Sequence, residues 1–467
     1  MSIALYWFRQ DLRCHDNPAL TQACANHQKV IPIYIKESVP SLPMGGAQHW
    51  WLHHSLGALK NSLRQHNLDL FLRQGEPLTL LKDLVEIHQV ETVYWNRCYE
   101  PSHRVRDERI KTELKTLGIK VVSCNGSLLY EPWDVLNKSG EYYKVFTAYW
   151  RQCLKQMRAR APYEIRDWPQ LHSIDSETLE HWQLLPKNPD WASGFAEYWQ
   201  PGEQGAWKKL NEFLLNGLGD YKERRNRPDL EATSRLSPHL HFGELSPQQI
   251  WTAVHNQLHD SHYTLSSIES FFSELGWREF SYYLLYHVPK LPEHHFKTSF
   301  DSFLWEDNPQ ALILWQKGMT GYPIVDAGMR ELWCTGYMHN RVRMIVASFL
   351  TKDLLIDWRQ GAAWFWNTLL DADLANNSAS WQWVAGSGAD AAPYYRIFNP
   401  VLQGEKFDPK GNYVKRWIPE LSSLPSQWIH CPWNTPKSLI VPSAYPAPIV
   451  DHSVARQRAL ERYKQLK

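Results

Sequence analysis

With 467 residues, 43% of them apolar, the chain can bury a large core and is long enough for two or three domains. Its 50 basic and 49 acidic side chains give a formal net charge of +1, so binding to a polyanion has to come from a local patch and not from a global field. No apolar run reaches the ~18 residues of a membrane span, and the seven cysteines include no CxxC pair, which excludes a spanning helix, a disulfide framework and a zinc ribbon and leads us to expect a cytoplasmic protein.

Up to about residue 130, short apolar runs alternate with helical periodicity. IALYWF (3–8), KVIPIYI (29–35), LDLFLR (68–73), ETVYW (91–95) and IKVVSC (119–124) are separated by segments such as HWWLHHSLGALKNSLRQ and DERIKTELKTLG. That is the pattern of a doubly wound, Rossmann-like parallel sheet, which takes ligands beyond the carboxyl ends of its strands. WFRQDLRCHDNPAL follows the first strand, and it reads equally well as a ligand or interdomain loop and as a structural first turn.

Across 131–200 the periodicity weakens while Pro, Asp and Trp accumulate, as in APYEIRDWPQLHSID and LLPKNPDW, which marks a long surface connector. After Pro201 the pattern turns helical. EQGAWKKLNEFLLNGL, SPQQIWTAVHNQL, SSIESFFSELGWREFSYYLLYH and VDAGMRELWCTG all place apolar residues three and four apart, and a Pro-rich tail begins near 432. The expected organisation is an α/β domain over 1–130, a connector over 131–200 and an all-helical domain over 201–467.

The most distinctive stretch runs from Gly321 to Gly404, where aromatic, amide, acidic and arginine residues alternate too densely for a plain amphipathic bundle. A large, flat, polar-edged object held inside would explain it. The 24 tryptophans of the chain point the same way, since so many rings pack together, stack on a ligand or relay electrons.

Upstream, Thr233, Ser234 and Ser237 flank Arg235, a turn whose hydroxyls and N–H groups suit either a phosphate or helix capping. Lys222, Arg224, Arg225 and Arg227 form a basic run that fits a nucleic-acid backbone or a solvated helix end. Glu274, Trp277 and Arg278 share one helix face, as a site that stacks a flat substrate and bonds its edge requires, and as a simple Glu–Arg surface pair also requires. Asn340 and Met344, four apart, can line the same pocket, although Met is also plain core filler. Asp371 and Asp373 are expected near Arg341 and Arg343, either paired or accepting from a bound ring. Trp381 and Trp383 lie about 200° apart around a helix and so face opposite ways. GSGADA (386–391) lacks the strand and helix of a dinucleotide fingerprint. His239/His241 and His294/His295 lack a carboxylate or Cys partner at metal-ligand spacing, so no metal is expected.

Taken together, these residues make the chain resemble the DNA photolyase/cryptochrome family over nearly its whole length. The runs that carry the resemblance are WFRQDLRCHDNPAL, TSRLSPHL, WREF, TGYPIVDAGMREL, MHNRVRM, LLDADLANNSASWQW and YYRIFNP. The likeness is greatest to bacterial class I cyclobutane pyrimidine dimer photolyases. It implies a blue-light-driven lyase, a flavoprotein with FAD in the helical domain, which flips a pyrimidine dimer out of DNA and splits it by electron transfer from the reduced flavin. The alternative is a cryptochrome-type photoreceptor without repair.

Carried over residue by residue, the resemblance assigns the flavin site to Tyr221, Thr233, Ser234, Arg235, Leu236, Ser237, Asp371 with Arg343, Asp373 and Asn377. The lesion pocket would be Glu274, Trp277, Asn340, Met344 and Trp383, with Arg225, Trp277, Arg341 and Arg396 on the DNA, and a photoreduction chain would run from Trp381 through Trp358 to Trp305. Asn340 and Met344, where (6-4) enzymes carry His, and Asn377, where plant cryptochromes usually carry Asp, favour the dimer lyase. Phe271 and Tyr337 stand where Trp is common, and both keep a ring. An antenna chromophore is expected, 5,10-methenyltetrahydrofolate first and 8-hydroxy-5-deazaflavin second, although the Asn-Glu pair that binds folate in some relatives is replaced here by Ser102 and His103. A monomer without membrane or metal completes the expectation.

Overall fold

The computed structural model describes residues 2–157, 160–260, 262–391, 395–436 and 445–466. Tyr394 of the YYRIFNP run and positions 437–444 of the Pro-rich tail lie outside the described residues. The five apolar runs form β1 (Ile3–Phe8), β2 (Lys29–Glu37), β3 (Phe71–Gly75), β4 (Thr92–Asn96) and β5 (Lys120–Cys124), joined by α1 (Pro18–Asn26), α2 (Gly46–Arg64), α3 (Pro77–His88) and α4 (Pro101–Thr116). All strands pair in parallel in the order β3-β2-β1-β4-β5. The continuous apolar runs are explained by burial: Leu5, Trp7, Ile31, Ile33, Val93 and Trp95 sit in one core with Leu81, Leu84, Ile110 and Leu114 of α3 and α4. Three of the four connecting helices open on Pro, which has no N–H to lose in a first turn.

The connector holds α5 (Phe146–Gln156), β6 (Gln170–Leu171) and α6 (Phe195–Tyr198). β6 extends the sheet by pairing Gln170 with Lys29 and Leu171 with Val30 on β2. Helices follow: α7 (Glu203–Asn216), α8 (Tyr221–Arg224), α9 (Ser237–His241), α10 (Pro247–His255), α11 (Leu265–His287), α12 (Pro309–Gln316), α13 (Pro323–Thr335), α14 (Asn340–Ser348), α15 (Trp358–Thr368), α16 (Leu374–Ala385), α17 (Pro400–Phe407), α18 (Asn412–Trp417) and α19 (His452–Lys464).

By compactness the chain divides into two units. Met1–Tyr143, Thr147–Gly219 and Ser234–Pro289 make the first; Lys144–Phe146, Asp220–Thr233 and Lys290–Lys467 make the second. The helices from α9 to α11 thus group with the sheet, because helical periodicity reports local structure and not the core on which a helix packs. The second unit has its own aromatic core, with Trp315, Phe349, Leu350, Trp358, Phe365 and Trp381 all buried.

The loop between β1 and α1 resolves its two readings in favour of structure. Asp11 accepts from the Tyr6 hydroxyl (2.5 Å), the Arg9 N–H (2.7 Å) and Asn96 Nδ2 (2.7 Å). Arg13, fully buried, donates to the carbonyls of Asp16, Gly126 and Gly243 at 2.6–3.2 Å. Asp16 takes Arg160, the Tyr163 N–H and the Ser246 hydroxyl. A buried charge must be paired or bonded, and here each one is bonded to the first unit itself.

Candidate active site

In the second unit, α13 ends at Gly336 with φ +66, a left-handed cap that glycine adopts without strain. His339 then caps α14 by accepting from the Arg341 N–H, which places Asn340 and Met344 one turn apart on the same helix, the former exposed and the latter half-buried. From this helix Arg343 donates to the Met338 carbonyl (2.7 Å) and pairs with Asp371 Oδ2 (2.8 Å). The Arg341 guanidinium goes to Asn226 Oδ1 (2.7 and 3.2 Å) and lies over the Phe407 ring. Asp373 caps α16, accepting from the N–H and the side-chain amide of Asn376, both at 2.8 Å. Asn377, one turn into α16, donates its Nδ2 to the Ala362 carbonyl at 3.0 Å.

The two tryptophans of α16 do face opposite ways. Trp381 is buried against Phe365 (5.0 Å) and Trp315 (6.3 Å), and Gly361 lies so close that an added Cβ would stand 2.2 Å from its Cη2. Trp383 is half-buried, donates Nε1 to the Asp390 carbonyl (3.1 Å) and lines a small cleft with Ser348, Lys352, Arg396 and Phe398. Lys352 is fully buried there, with its ammonium donating to the Ala385 carbonyl (2.5 Å) and lying 3.2 Å from the Tyr395 ring centroid. Burial pushes that ammonium well below the ordinary lysine range. Trp358 is buried beside His295, and Trp305 is half-buried on the edge of the same core, packed on Phe303 (4.5 Å). Burial therefore decreases in the order Trp358 and Trp381, then Trp305.

In the same unit, Tyr221 is buried on α8 with the Arg225 guanidinium 5.5 Å from its ring. The neighbouring basic run is partly neutralised, because Arg227 makes a bidentate pair with Asp229 (2.6 and 2.8 Å). Thr233 closes this segment, and Ser234 begins a part of the chain that belongs to the first unit. Arg235 holds φ +51 and Leu236, φ −87 and ψ −4; Leu236 is buried and Ser237, the first residue of α9, is exposed.

The first unit also carries α11, opened by Thr264 accepting from the Ser267 N–H. Glu274 and Trp277 are half-buried on it, and Trp277 meets Phe280 edge-on at 5.9 Å. The surface pair weighed for Glu274 does not form with Arg278. That guanidinium goes to Glu279 (3.0 Å) and to the Ser127 carbonyl (3.0 Å). Glu279 is buried and also accepts from the Leu129 N–H (2.7 Å); burial pushes its carboxyl up to about 7, against the opposing pull of Arg278. His239 and His295 are satisfied histidines, each hydrogen-bonded to a carboxylate, Glu244 at 2.5 Å and Asp301 at 2.8 Å. Asn226, Trp315 and Phe365 went unnoticed in the sequence because their roles depend on partners far along the chain.

Residues 4–170 match the family described as DNA photolyase, and residues 271–465 match the FAD binding domain of DNA photolyase. The chain is 48% identical to a deoxyribodipyrimidine photo-lyase of Agrobacterium fabrum over 99% of its own length and 98% of the relative's. It is 36% identical to Cryptochrome-2 of Arabidopsis thaliana over 99% of its length and 79% of the relative's. A bacterial class III photolyase from Agrobacterium tumefaciens, solved as a crystal structure, superposes with a TM-score of 0.96 at 48% identity, covering 100% of this chain and 98% of that one. That likeness corrects the class I expectation. The chain belongs to the DNA photolyase family and carries its FAD-binding domain.

Proposed function

We propose that this protein is a class III-type photolyase that repairs cyclobutane pyrimidine dimers in DNA under blue light, acting as a cytoplasmic monomer. Among the described residues no helix is long and apolar enough to cross a membrane. The observation that carries the reading is the division of labour on α16: Trp381 is sealed in an aromatic core while Trp383, two residues on, opens onto a cleft with Arg396. A stacking ring next to a guanidinium is what a flipped base and its phosphate need.

The residues present fit FAD, which when bound supplies the light-driven electron. Tyr221, Thr233, Ser234, Arg235, Leu236, Ser237, Asp371, Asp373 and Asn377 would hold it. A left-handed Arg235 followed by a right-handed Leu236 turns successive N–H groups to one side, the form of an anion-binding nest. Asp371 is oriented by its 2.8 Å pair with Arg343, which suits it to accept from a ring N–H or a sugar hydroxyl. Because Asn377 gives its Nδ2 to Ala362, its Oδ1 is the end it presents to an acceptor-seeking group.

For the lesion, Glu274 would hydrogen-bond the pyrimidine edge, Trp277 and Trp383 would stack on the bases, and Asn340 and Met344 would complete the contact. Arg225, Arg341 and Arg396 would take phosphates. Trp381, Trp358 and Trp305 would carry electrons inward from the surface, in keeping with their graded burial. A second chromophore, 5,10-methenyltetrahydrofolate ahead of 8-hydroxy-5-deazaflavin, would collect light. In the first unit a groove of about 820 Å³ walled by Tyr163, His66 and Trp207 has the size for such a ring system.

The test is repair of an oligonucleotide containing one dimer by reduced, illuminated protein. Restoration of the undamaged bases is expected, and a blue-light receptor without repair, the reading suggested by the likeness to Cryptochrome-2, would show flavin photoreduction with the dimer intact. The absorption spectrum of the purified protein reads out both chromophores, and a spectrum with the flavin bands alone removes the antenna from the proposal.

A further inference from the structure

We propose that Cys98, Glu100 and His103 form a binding site for a divalent transition-metal ion of the zinc and cobalt type. They stand just past the carboxyl end of β4, in the run CYEPSH, and His103 lies in the first turn of α4. Cys98 Sγ, a carboxylate oxygen of Glu100 and a ring nitrogen of His103 all lie within 4.8 Å of one another. Bonds of about 2.0–2.3 Å at a tetrahedral centre put ligand atoms about 3.3–3.8 Å apart, so small side-chain rotations close the tripod.

Burial and the supporting contacts agree with this. Cys98 and Glu100 are buried, while the His103 side chain is 19% exposed and offers the entry path. His103 Nδ1 lies 3.1 Å from Glu100 Oε2, and a metal ion would take the place of the proton between them, with the Cys98 sulfur as third ligand. Gln10 donates Nε2 to Glu100 Oε1 at 2.7 Å, which fixes the carboxylate's orientation, as supporting groups around a metal do. The cations alongside are already compensated: Arg9 pairs with Asp107, and Arg106 with Asp107 and Glu37. A sulfur, nitrogen and oxygen set selects zinc or cobalt over calcium or magnesium, which prefer oxygen alone. The expectation of no metal rested on histidine pairs elsewhere in the chain and passed over this C-x-E-x-x-H spacing.

The experiment uses the flavin-bound protein, stripped with a chelator and titrated with Co²⁺. One equivalent is expected to produce ligand-field bands at wavelengths beyond the oxidised flavin, and thiolate charge-transfer absorption in the near-ultraviolet difference spectrum. Zn²⁺ should displace it, with one zinc per chain by elemental analysis. Cys98→Ala and His103→Gln should each weaken binding by about 100-fold or more, and Gln10→Ala, which changes only a positioning residue, by about 10- to 100-fold. A stripped wild-type protein that takes up no stoichiometric cobalt or zinc overturns the proposal and leaves His103 and Glu100 as an ion pair beside an inert thiol. Binding that is equally tight in Cys98→Ala and His103→Gln overturns it as well.

Discussion

Two regions of this chain are equally crowded with polar and charged residues, and the structure uses them in opposite ways. In the β1–α1 loop, Asp11, Arg13 and Asp16 are all buried and bonded to neighbours within their own unit. Around α14 and α16, Asn340 and Arg396 are exposed and Met344 and Trp383 half-buried, so their edges face outward. Polar density in a sequence therefore does not mark a binding site by itself. What separates the regions is exposure: the loop's charged groups are buried, whereas Asn340 and Arg396 stand at the surface with Met344 and Trp383 half-buried beside them.

The largest effect should come from breaking the buried loop. Arg13→Ala leaves three carbonyls without their donor, and we expect a loss of about 4 kcal/mol of stability, read by thermal or denaturant unfolding, with any protein that folds keeping its flavin spectrum. If that variant proved as stable as the wild type, the loop would not be the structural node described above. Trp383→Ala tests the other side. Loss of one stacking ring is worth about 2 kcal/mol, or about 30-fold in dimer repair, while the melting temperature should move by only a few degrees. Unchanged repair would remove Trp383 from the lesion contact.

Gly361→Ala should have an effect similar in size to that of Trp383→Ala, but on stability. A Cβ at 2.2 Å from Trp381 and 2.6 Å from Leu350 overpacks the core, and a loss of about 2 kcal/mol is expected despite the better helix propensity of Ala. Flavin photoreduction measured on the same variant should fall with the displacement of Trp381, and a stabilised variant would show that the core can absorb the methyl group. The smallest effect concerns Glu279. Its carboxyl is held protonated up to about 7 in the folded protein, above its unfolded value, so the native state binds the extra proton and stability falls as the pH rises through that window. Glu279→Gln should flatten this slope by about 1 kcal/mol between pH 6 and 8, as read by urea unfolding at several pH values. Equal slopes in the two proteins would mean that Glu279 ionises normally.

Much of the fold was legible because strands and helices are announced by local periodicity. The five apolar runs are the five long strands to within a few residues, and β6 was missed because two residues carry no period. In the candidate site, same-helix relations were equally readable: Asn340 with Met344, and Trp381 opposed to Trp383. Partner choice was not. Nothing in the spacing says that Arg343 takes Asp371 while Arg341 takes Asn226, 115 residues away, or that Arg278 prefers its neighbour Glu279 to Glu274 one turn back.

By itself, then, the sequence determined the alternation that builds the parallel sheet, the helical second half and the helix faces on which the candidate residues stand, since these follow from the 2.0 and 3.6 residue periods of the backbone. Only the tertiary structure decided which charges are consumed inside the first unit, which acid Arg343 holds, which tryptophan is sealed and which opens on a cleft, and that a thiol, a carboxylate and an imidazole converge after β4. Those outcomes depend on burial and on contacts between segments distant in the chain, where desolvation makes an unpaired charge costly and packing selects its partner.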